Sequence, residues 1–488
     1  MLLWLVTLTT LAQENSPQGC RRGTPRLESR HLRRSSGLVR TPGGDFYRGD
    51  RHQLTVLVAF NDRSFLGDEA ATLAQWDMIF NTENLQDNPF KGSVHDYFLS
   101  QSYGAFSVTF DLEYVLVSGN AAKYASTQSD DENSHYLVED IMEVLKARDI
   151  DWSLYDWNGD GFVNQLLIVY AGKGMNDGGG SNSIWPHQWW MSEHLKDRQQ
   201  GVYCDPIPVN VGSKQYLVDC YCALAELTGK NDYGSFGTVC HEYSHCFGLP
   251  DFYYGSTTVV GGWDLMDYGN YSGDGYCPPG YSAHERWLMG WLTPTELTES
   301  ATVTNMPQLS EQPVAYLVRN DGWENEYYFI ENREQTGWDS SIPGQGVVVF
   351  HIDFDPSVWT STTVTPNSLS YKRYTIFPAN NKTSLSYKTG WTYPYNGNNQ
   401  LTNESTPAAT LNHINTDDSK LMNKPVTNIA VTAGLASFDF MGGALSGICN
   451  VHSTSNSQSL LFYTLDGRRV TNPTKGIYVV NGKKVVLK

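Results

Sequence analysis

Residues 241 to 251 form the most constraining run in this chain, His-Glu-Tyr-Ser-His-Cys-Phe-Gly-Leu-Pro-Asp. His241 and His245 are four positions apart, so in a helix both imidazoles lie on one face, one turn apart. Two imidazoles in this arrangement can bind a single zinc ion. Glu242 comes directly after the first histidine and lies beside the metal, where it can accept a proton from an activated water. The run therefore predicts a helix that carries a catalytic zinc site.

The residues after His245 indicate where a third ligand could come from. Gly248 is expected to end the helix, because glycine adopts the left-handed conformation that other residues resist. The chain then turns back, which makes Asp251 a candidate third ligand. Glu285, in the later run Ser-Ala-His-Glu-Arg-Trp, is the alternative ligand. An ordinary amphipathic helix that happens to carry two histidines is the competing interpretation of the whole run.

Polar residues that follow the motif are further candidates. Asp264 and Asp267 are weaker ligand candidates, because an aspartate beside a tight turn usually accepts hydrogen bonds from its own backbone. Three tyrosines could stabilise an oxyanion, although aromatic residues after a turn more often pack in a core; they are Tyr268, Tyr271 and Tyr276.

The composition is that of a folded, strand-rich extracellular protein. The chain has 488 residues, enough for two to four domains, with 18% charged residues, 13% aromatic residues and 44 glycines. The net charge of −18 argues against nucleic acid as a partner, since phosphate binding requires a basic face. Eight cysteines are consistent with an oxidising compartment, and the absence of a Cys-x-x-Cys pair argues against a thiolate zinc finger.

The first fifty residues are expected to comprise an export signal and a flexible, protease-sensitive leader. Residues 1–12 are predicted to be a signal peptide with cleavage after Ala12. The run lacks the basic n-region of a complete signal peptide, which is expected if the signal peptide is truncated at its start. This run is too short to span a bilayer, and no other stretch predicts a transmembrane helix. Residues 13–50 are predicted to be a leader or pro-segment, because 14–51 contain nine arginines without apolar periodicity. A solvated linker is the alternative, and Cys20 is a hypothetical thiolate cap on the zinc.

A second metal site is a weaker candidate. Oxygen-bearing side chains alternate along residues 156–164, and Gly161 allows a sharp turn, which resembles the start of a calcium loop. Leu167 stands where such a loop has its bidentate glutamate. The two interpretations are a structural calcium site and an Asx-rich turn, and the residues concerned are Asp156, Asn158, Asp160 and Asn164.

The apolar pattern divides the chain into an α/β part, a β part and a short tail. Strands are predicted at 54–60, 105–114 and 165–171, and helices near 70–80, from Ser93 onwards, and at 135–148. These elements predict an α/β (α+β) catalytic domain over 51–295. Short strands over 296–445 predict a β-sandwich; they are 314–318, 327–331, 347–353, 374–377, 429–431 and 436–440. The tail, 446–488, has three more strand signals, with an Asn-Gly hairpin turn at 481–482.

Several separated motifs together resemble the immune-inhibitor-A-type zinc metallopeptidases, which are relatives of the metzincins. The resemblance extends over about residues 50–445 and includes Gly-Ser-Val-His-Asp-Tyr-Phe from position 92, Ile-Trp-Pro-His from 184, the zinc motif with Leu-Pro-Asp-Phe-Tyr from 249, and Trp-Asp-Leu-Met-Asp from 263. It implies a metzincin-like catalytic domain with Met266 in a Met-turn beneath the zinc. It also favours Asp251 as third ligand, since its offset from His245 copies the metzincin spacing, whereas Glu285 would correspond to the gluzincin arrangement.

The tail resembles the C-terminal sorting domains of Bacteroidetes, which act as type IX secretion signals. The resemblance rests on Leu-Asp-Gly-Arg-Arg-Val from position 465 and Lys-Gly-Ile-Tyr from 475. It implies export machinery as a partner and a secreted or outer-membrane surface-attached protein. The alternative is a β-hairpin that stabilises the preceding sandwich.

The motifs together predict a zinc-dependent endopeptidase that hydrolyses protein or peptide substrates, with Glu242 as general base. Two other classes of function are the alternatives. A non-catalytic surface adhesin would keep the zinc helix as a vestige, but the intact Glu242 argues against it. A zinc hydrolase that acts on a non-peptide bond is distinguished only by the family resemblance.

Overall fold

The computed structural model describes residues 21–22, 47–125, 133–197, 200–234, 236–361, 364–444, 462–465, 468–471, 473–480 and 483–487. The predicted signal peptide, most of the predicted leader with Cys20, and the predicted turn at 481–482 lie outside these ranges. Within them, no helix is both long enough and apolar enough to cross a membrane.

The N-terminal part of the described chain, up to residue 292, is a mixed α/β structure. Its elements are β1 (Arg21–Arg22), β2 (Gly49–Ala59), α1 (Glu69–Asn81), α2 (Val94–Gln101), β3 (Phe106–Leu116), α3 (Ala121–Tyr124), α4 (Ser134–Leu145), β4 (Phe162–Val163), β5 (Leu166–Lys173), β6 (His187–Trp190), β7 (Leu195–Asp197), β8 (Val202–Tyr203), β9 (Ile207–Val211), β10 (Lys214–Val218), β11 (Cys220–Leu227), α5 (Phe236–Cys246) and α6 (Ala283–Leu288). Short 3-10 helices occur at Trp152–Tyr155, Met175–Asp177, Met191–Glu193, Gly261–Trp263 and Gly269–Gly275.

One six-stranded sheet organises this part, in the order β1-β6-β11-β5-β2-β3. Neighbouring strands are parallel except β6 and β11, which are antiparallel. The predicted strand at 54–60 is confirmed as the buried half of β2, which has a parallel partner on each side. Such a strand is covered on both faces, which explains its continuous apolar run. Two small groups of strands accompany the sheet, β4-β10-β9 and β7-β8.

The predicted start of the second helix is also confirmed. Ser93 Oγ accepts the amide of Asp96 at 3.0 Å, and the Asp96 carboxylate accepts the amide of Ser93 at 3.0 Å. This capping box satisfies amides that the first turn leaves unpaired. Strand β11 gives no such local signal, because its sequence Cys-Tyr-Cys-Ala-Leu-Ala-Glu-Leu has no β-branched residue. Its place in the middle of the sheet comes from tertiary packing.

The C-terminal part of the described chain is almost entirely β-structure. Its elements are β12 (Thr295–Glu296), β13 (Ala301–Met306), β14 (Tyr316–Asn320), β15 (Trp323–Arg333), β16 (Gly346–Asp353), α7 (Pro356–Trp359), β17 (Tyr374–Ile376), β18 (Val426–Thr432), β19 (Leu435–Phe440), β20 (Phe462–Tyr463), β21 (Arg469–Val470), β22 (Gly476–Val480) and β23 (Lys483–Leu487), with 3-10 helices at Gly337–Ser341 and Leu385–Gly390. They form three sheets, β12-β14-β15-β16-β17, β13-β19-β18 and β21-β20-β22-β23.

The five-stranded sheet is buried on both faces, as strand β16 illustrates. Val347 and Val349 belong to the core shared with the three-stranded sheet β13-β19-β18. The alternate residues Val348, Phe350 and Ile352 belong to the large core of the N-terminal part. Since successive side chains of a strand point to opposite faces, the five-stranded sheet is the middle layer between the α/β part and the smaller sheet.

A buried ion cluster joins this middle layer to the N-terminal part. The Arg333 guanidinium binds the carboxylates of Glu331 at 3.0 Å and Asp339 at 2.7 Å, and all three side chains are buried. Arg333 also donates to the carbonyl oxygen of Gly280 at 3.0 Å, and Glu331 accepts the amide of Ala283 at 2.7 Å. The cluster therefore holds the loop that leads into α6 against β15.

Replacing Asp339 with alanine is expected to lower the free energy of unfolding by about 3–5 kcal/mol, because it leaves a buried guanidinium without one of its partners. Urea titration followed by circular dichroism measures the change. The matched control is Asp321→Ala, which removes an ion pair with Lys424 from a half-exposed carboxylate and should cost less than about 1 kcal/mol. Equal losses in the two variants would contradict the prediction.

His284 is a buried imidazole that should make stability depend on pH. Burial lowers its pKa to about 3. In the unfolded chain its pKa is about 6.5, so below that pH the unfolded state binds a proton that the native state does not. The stability present above pH 6.5 is therefore lost as the pH falls, by about 1.4 kcal/mol per pH unit. The rings around it belong to Tyr327, Phe329, Phe354, Trp359 and Tyr374.

Replacing His284 with phenylalanine should therefore reduce this pH dependence by about 1.4 kcal/mol per pH unit between pH 6 and 4. The free energy of unfolding, measured by urea titration at a series of pH values, reports the slope. Phe350→Leu changes the same core without adding or removing a titrating group, and should keep the wild-type slope. An unchanged slope in His284→Phe would show that this imidazole is protonated in the folded protein.

Candidate active site

Helix α5 carries the histidine motif, and all of its residues except Thr238 are buried. The helix ends at Cys246, and Gly248 follows with a φ of 93°, a left-handed conformation that favours glycine. The predicted role of Gly248 is thus confirmed. The reversal that it allows brings Asp251 back towards the helix.

The side chains of His241, His245 and Asp251 meet in one place. Oδ1 of Asp251 lies 3.2 Å from Nε2 of His241 and 3.3 Å from Nε2 of His245. All three side chains are buried, and their ligand atoms lie within 4.8 Å of one another. In the described parts of the chain, no other group of three or more histidine, cysteine, aspartate or glutamate side chains is as close.

The hydrogen bonds of the two histidines make this group suitable for a cation. Nδ1 of His241 donates to the carbonyl oxygen of Leu265, and Nδ1 of His245 to that of Leu249, each at 2.8 Å. A proton on Nδ1 leaves a lone pair on Nε2 of each neutral ring, directed at a carboxylate oxygen. Two acceptors at such distances repel each other unless a proton or a cation lies between them. Two imidazoles and one carboxylate are a donor set of catalytic zinc sites, so the residues fit zinc.

The charges in the group are consistent with a ligand role for Asp251. Burial alone would raise the pKa of its carboxyl group, but when no cation is bound the charge and hydrogen bonds of the His245 and His241 imidazoles outweigh burial and lower the pKa below its ordinary value. Asp251 is therefore ionised at neutral pH. An ionised carboxylate is the form that binds a metal.

Glu242 lies beside this group but is not part of it. Its side chain is fully buried, and neither carboxylate oxygen has a hydrogen-bond partner among the described residues. Burial, and then the charge of Asp251, raise its pKa well above the ordinary value. A buried carboxyl group without a partner is costly, and a raised pKa makes the carboxylate a better proton acceptor.

The loop that contains Met266 supports the histidine helix from below. The Leu265 carbonyl orients His241, and the Met266 carbonyl accepts the amide of Phe252 at 2.8 Å. Met266 is fully buried, and its own amide donates to Asp264 at 2.7 Å. The loop therefore positions both the first histidine and the segment that follows Asp251, as expected of groups that orient metal ligands.

Tyr374, on strand β17, supports this loop from the C-terminal part. Its hydroxyl donates to the Asp264 carboxylate at 2.6 Å, and its ring stacks on Phe252 with 3.7 Å between centroids. The sequence contained no signal for this residue, because it is 110 positions away from Asp264 and a lone tyrosine in a short strand looks like any other core residue.

The other candidate ligands are carboxylates that make hydrogen bonds elsewhere. Glu285 is buried at the start of α6, where it accepts the amide and the hydroxyl of Ser282 at 2.7 and 3.0 Å. Asp267 accepts the amides of Val259 and Val260 at 2.8 and 2.6 Å. The local backbone bond expected for Asp264 is present, from the amide of Met266, whereas Asp267 accepts amides from seven and eight positions earlier. None of these carboxylates belongs to the close group around His241.

Of the three candidate tyrosines, Tyr271 is the one electrostatically coupled to Glu242. Burial raises its pKa, and the charges of Glu242 and Asp177 contribute in the same direction. Tyr276 donates instead to the carbonyl oxygen of Tyr233 at 3.0 Å, and Tyr268 packs against the ring of Tyr271.

In the loop at 156–164, the side-chain oxygens of Asp156, Asp160 and Asn164 accept hydrogen bonds from donors of the loop itself. The Asp156 carboxylate accepts the amides of Asp160 and Gly161 at 3.1 Å, and Asn164 Oδ1 accepts that of Trp157 at 2.6 Å. Nδ2 of the Asn158 side chain donates to the Asp160 carboxylate at 3.0 Å. These bonds are those of the Asx-rich turn, and the calcium site stays a prediction.

The cysteines near the motif are not cross-linked. The six cysteines of the described ranges are all buried and free; they are Cys204, Cys220, Cys222, Cys240, Cys246 and Cys277.

Comparison with known proteins agrees with the geometry. Residues 49–289 match the family model described as "Immune inhibitor A peptidase M6, catalytic domain". Immune inhibitor A of Bacillus thuringiensis subsp. alesti is 28% identical over 287 residues, which cover 49% of this chain and 40% of the relative. The alignment thus spans less than half of that relative. The predicted likeness to immune-inhibitor-A-type metallopeptidases is confirmed for residues 49–289, a range that includes the histidines, Asp251 and Met266.

Proposed function

We propose that this chain is a secreted, zinc-dependent endopeptidase in which His241, His245 and Asp251 hold the metal and Glu242 is the general base. The observation that carries the proposal is the close group of two imidazoles and one carboxylate beside a buried glutamate that has no hydrogen-bond partner among the described residues. The match to a peptidase catalytic domain over residues 49–289 supports a peptide bond as the target.

Zinc, when bound, supplies a Lewis acid that polarises the scissile carbonyl and makes a water more acidic. The remaining chemistry belongs to the side chains. Glu242 accepts the proton of the attacking water and then delivers it to the leaving amine. The carbonyls of Leu265 and Leu249 hold the imidazoles in the tautomer that presents Nε2. Burial of all four side chains keeps bulk water away and so strengthens each electrostatic interaction.

Secretion and processing are parts of the same proposal. The apolar run at 1–12, the arginine-rich segment 13–50 and the tail 446–488 support export, removal of a leader and recognition by an export machinery, respectively. A protein or peptide is the proposed substrate.

The test is peptide-library and casein hydrolysis by the purified full chain before and after removal of metal. Chelation should abolish cleavage, and stoichiometric zinc should restore it. Digestion products identified by mass spectrometry would show whether cleavage is internal. Zinc bound without hydrolysis of any library member would contradict the proposal and favour the adhesin, and cleavage that survives complete metal removal would exclude a metallopeptidase.

A further inference from the structure

A large cavity lies beside helix α5. Its volume is about 930 Å³, and its lining includes residues 88–90, 228–234, 271 and 273–276. Thr238 and Val239 of α5 form part of its wall. Neither the two histidines nor Asp251 line it, so it is a neighbour of the metal-binding group and not the same space.

The cavity adjoins the face of helix α5 that carries Glu242. Thr238 is four positions before Glu242, so in a helix the two side chains lie on the same face, one turn apart. Tyr271 lines the cavity, and the charges of both Glu242 and Asp177 act on its phenol. A peptide whose scissile bond lies at Glu242 would therefore have a neighbouring side chain at this cavity.

Part of the cavity wall is apolar and held in place. Phe90 packs edge-on against Tyr276, with 5.2 Å between ring centroids. The Tyr276 hydroxyl donates to the Tyr233 carbonyl at 3.0 Å, which ties the lining segment around Tyr276 to the lining segment around Tyr233. Leu224 and Val239 add buried aliphatic surface. These groups suit the methylene stem of a long side chain.

The charged residues of the cavity are mostly acidic. Asp177, Asp232 and Asp274 line it, against a single cation, Lys230. Lys230 lies 4.0 Å from Asp274, and both side chains are largely exposed. Asp177 also accepts the amide of Gly229 at 2.6 Å. A second ammonium lies at the edge of the cavity, since Nζ of Lys173 donates to the carbonyl oxygen of Gly229 at 2.8 Å. Two ammonium groups compensate at most two of the three carboxylates, so a negative potential remains over the cavity, and the net charge of the chain, −18, has the same sign.

We propose that this cavity is a specificity subsite that receives a lysine or arginine side chain next to the scissile bond, with its stem on the apolar wall and its cationic head among the carboxylates. The proposal rests on the proposed peptidase function, since it assigns the neighbour of that catalytic centre. It makes Asp232 and Asp274 specificity-determining residues.

The first test compares cleavage of quenched fluorescent peptides that differ at one position beside the scissile bond, lysine or arginine against norleucine and glutamate. The wild-type chain should prefer the basic peptides, and Asp232→Asn/Asp274→Asn should reduce that preference in kcat/KM by roughly three- to tenfold, as for exposed ion pairs. The preference should also weaken as salt is added. No preference in the wild type, or the same preference in the double variant, would overturn the proposal.

A matched control separates the local effect from overall charge. Asp417→Asn/Asp418→Asn removes the same charge from exposed residues that do not line the cavity. Asp418 has a φ of 63° and Asp274 a φ of 57°. Each pair therefore contains one aspartate with a left-handed backbone conformation, which asparagine also tolerates. The control should keep the wild-type preference, and an equal loss in both pairs would overturn the proposal.

A binding measurement does not depend on hydrolysis. Fluorescence anisotropy of the same peptides, uncleaved, with Glu242→Gln and with the metal-free chain should show tighter binding of the basic members, lost in the Asp232/Asp274 double variant. If the wild type hydrolyses no peptide, the proposed function fails while this measurement still decides the subsite. If it hydrolyses peptides but binds basic and neutral members equally, only the subsite is wrong.

Discussion

Replacing Glu242 with glutamine is expected to lower kcat/KM for a cleaved peptide by about 10²–10⁴-fold, the contribution typical of a general base. Glutamine has the same shape but cannot accept a proton from water or return it to the leaving amine. Because Glu242 is not in the close group of two histidines and Asp251, the variant should bind zinc as the wild type does. Steady-state peptide kinetics and metal analysis by mass spectrometry measure the two effects.

A buried glutamate on a strand of the main sheet provides the control. Glu226, on β11, accepts the amides of Leu66 and Gly172 at 2.8 Å, and burial raises its pKa as well. Glu226→Gln therefore removes a comparable buried carboxylate without touching the candidate centre, and should retain wild-type kcat/KM. Wild-type cleavage by Glu242→Gln would refute the assigned mechanism, whereas loss of zinc from it would mean that Glu242 is a ligand.

The second large effect concerns the third ligand. Loss of a residue that only orients a metal ligand typically weakens metal binding by roughly 10–100-fold. Asp251→Asn should weaken zinc binding by more than that, because it changes a ligand itself. It replaces an anion that lies 3.2 and 3.3 Å from the two imidazoles with a neutral amide. Competition for zinc against a chromogenic chelator gives the dissociation constants.

Glu285→Gln is the matched variant for Asp251→Asn, since it also exchanges a buried carboxylate for an amide. It should keep wild-type zinc affinity, because Glu285 accepts from Ser282 at the start of α6 and is not in the close group. Some loss of stability is expected from the weakened cap, about 0.5–2 kcal/mol. The reverse pattern, with zinc lost from Glu285→Gln and retained by Asp251→Asn, would replace the metzincin-like assignment with the gluzincin-like one.

Much of the fold near the site was predictable because its signals are local. The strand at 54–60 is a continuous apolar run, the second helix begins at a Ser-x-x-Asp cap, and Gly248 ends α5 with a left-handed turn. Each depends on neighbouring residues or on backbone sterics. Strand β11 was not predicted, although it lies in the middle of the main sheet, because nothing in its composition separates a buried strand from a helix.

The sequence alone determined that His241 and His245 share one helix face with Glu242 beside them, because the helical period is a local property of the backbone. It also determined that a turn follows and that Asp251 and Glu285 compete as third ligand. Only the tertiary structure decided which carboxylate lies 3.2 Å from the first histidine, which tyrosine supports the Met266 loop, and where a cavity adjoins the catalytic helix. These contacts join segments that are distant in sequence. They depend on how sheets and loops pack together, and no local pattern of residues encodes that packing.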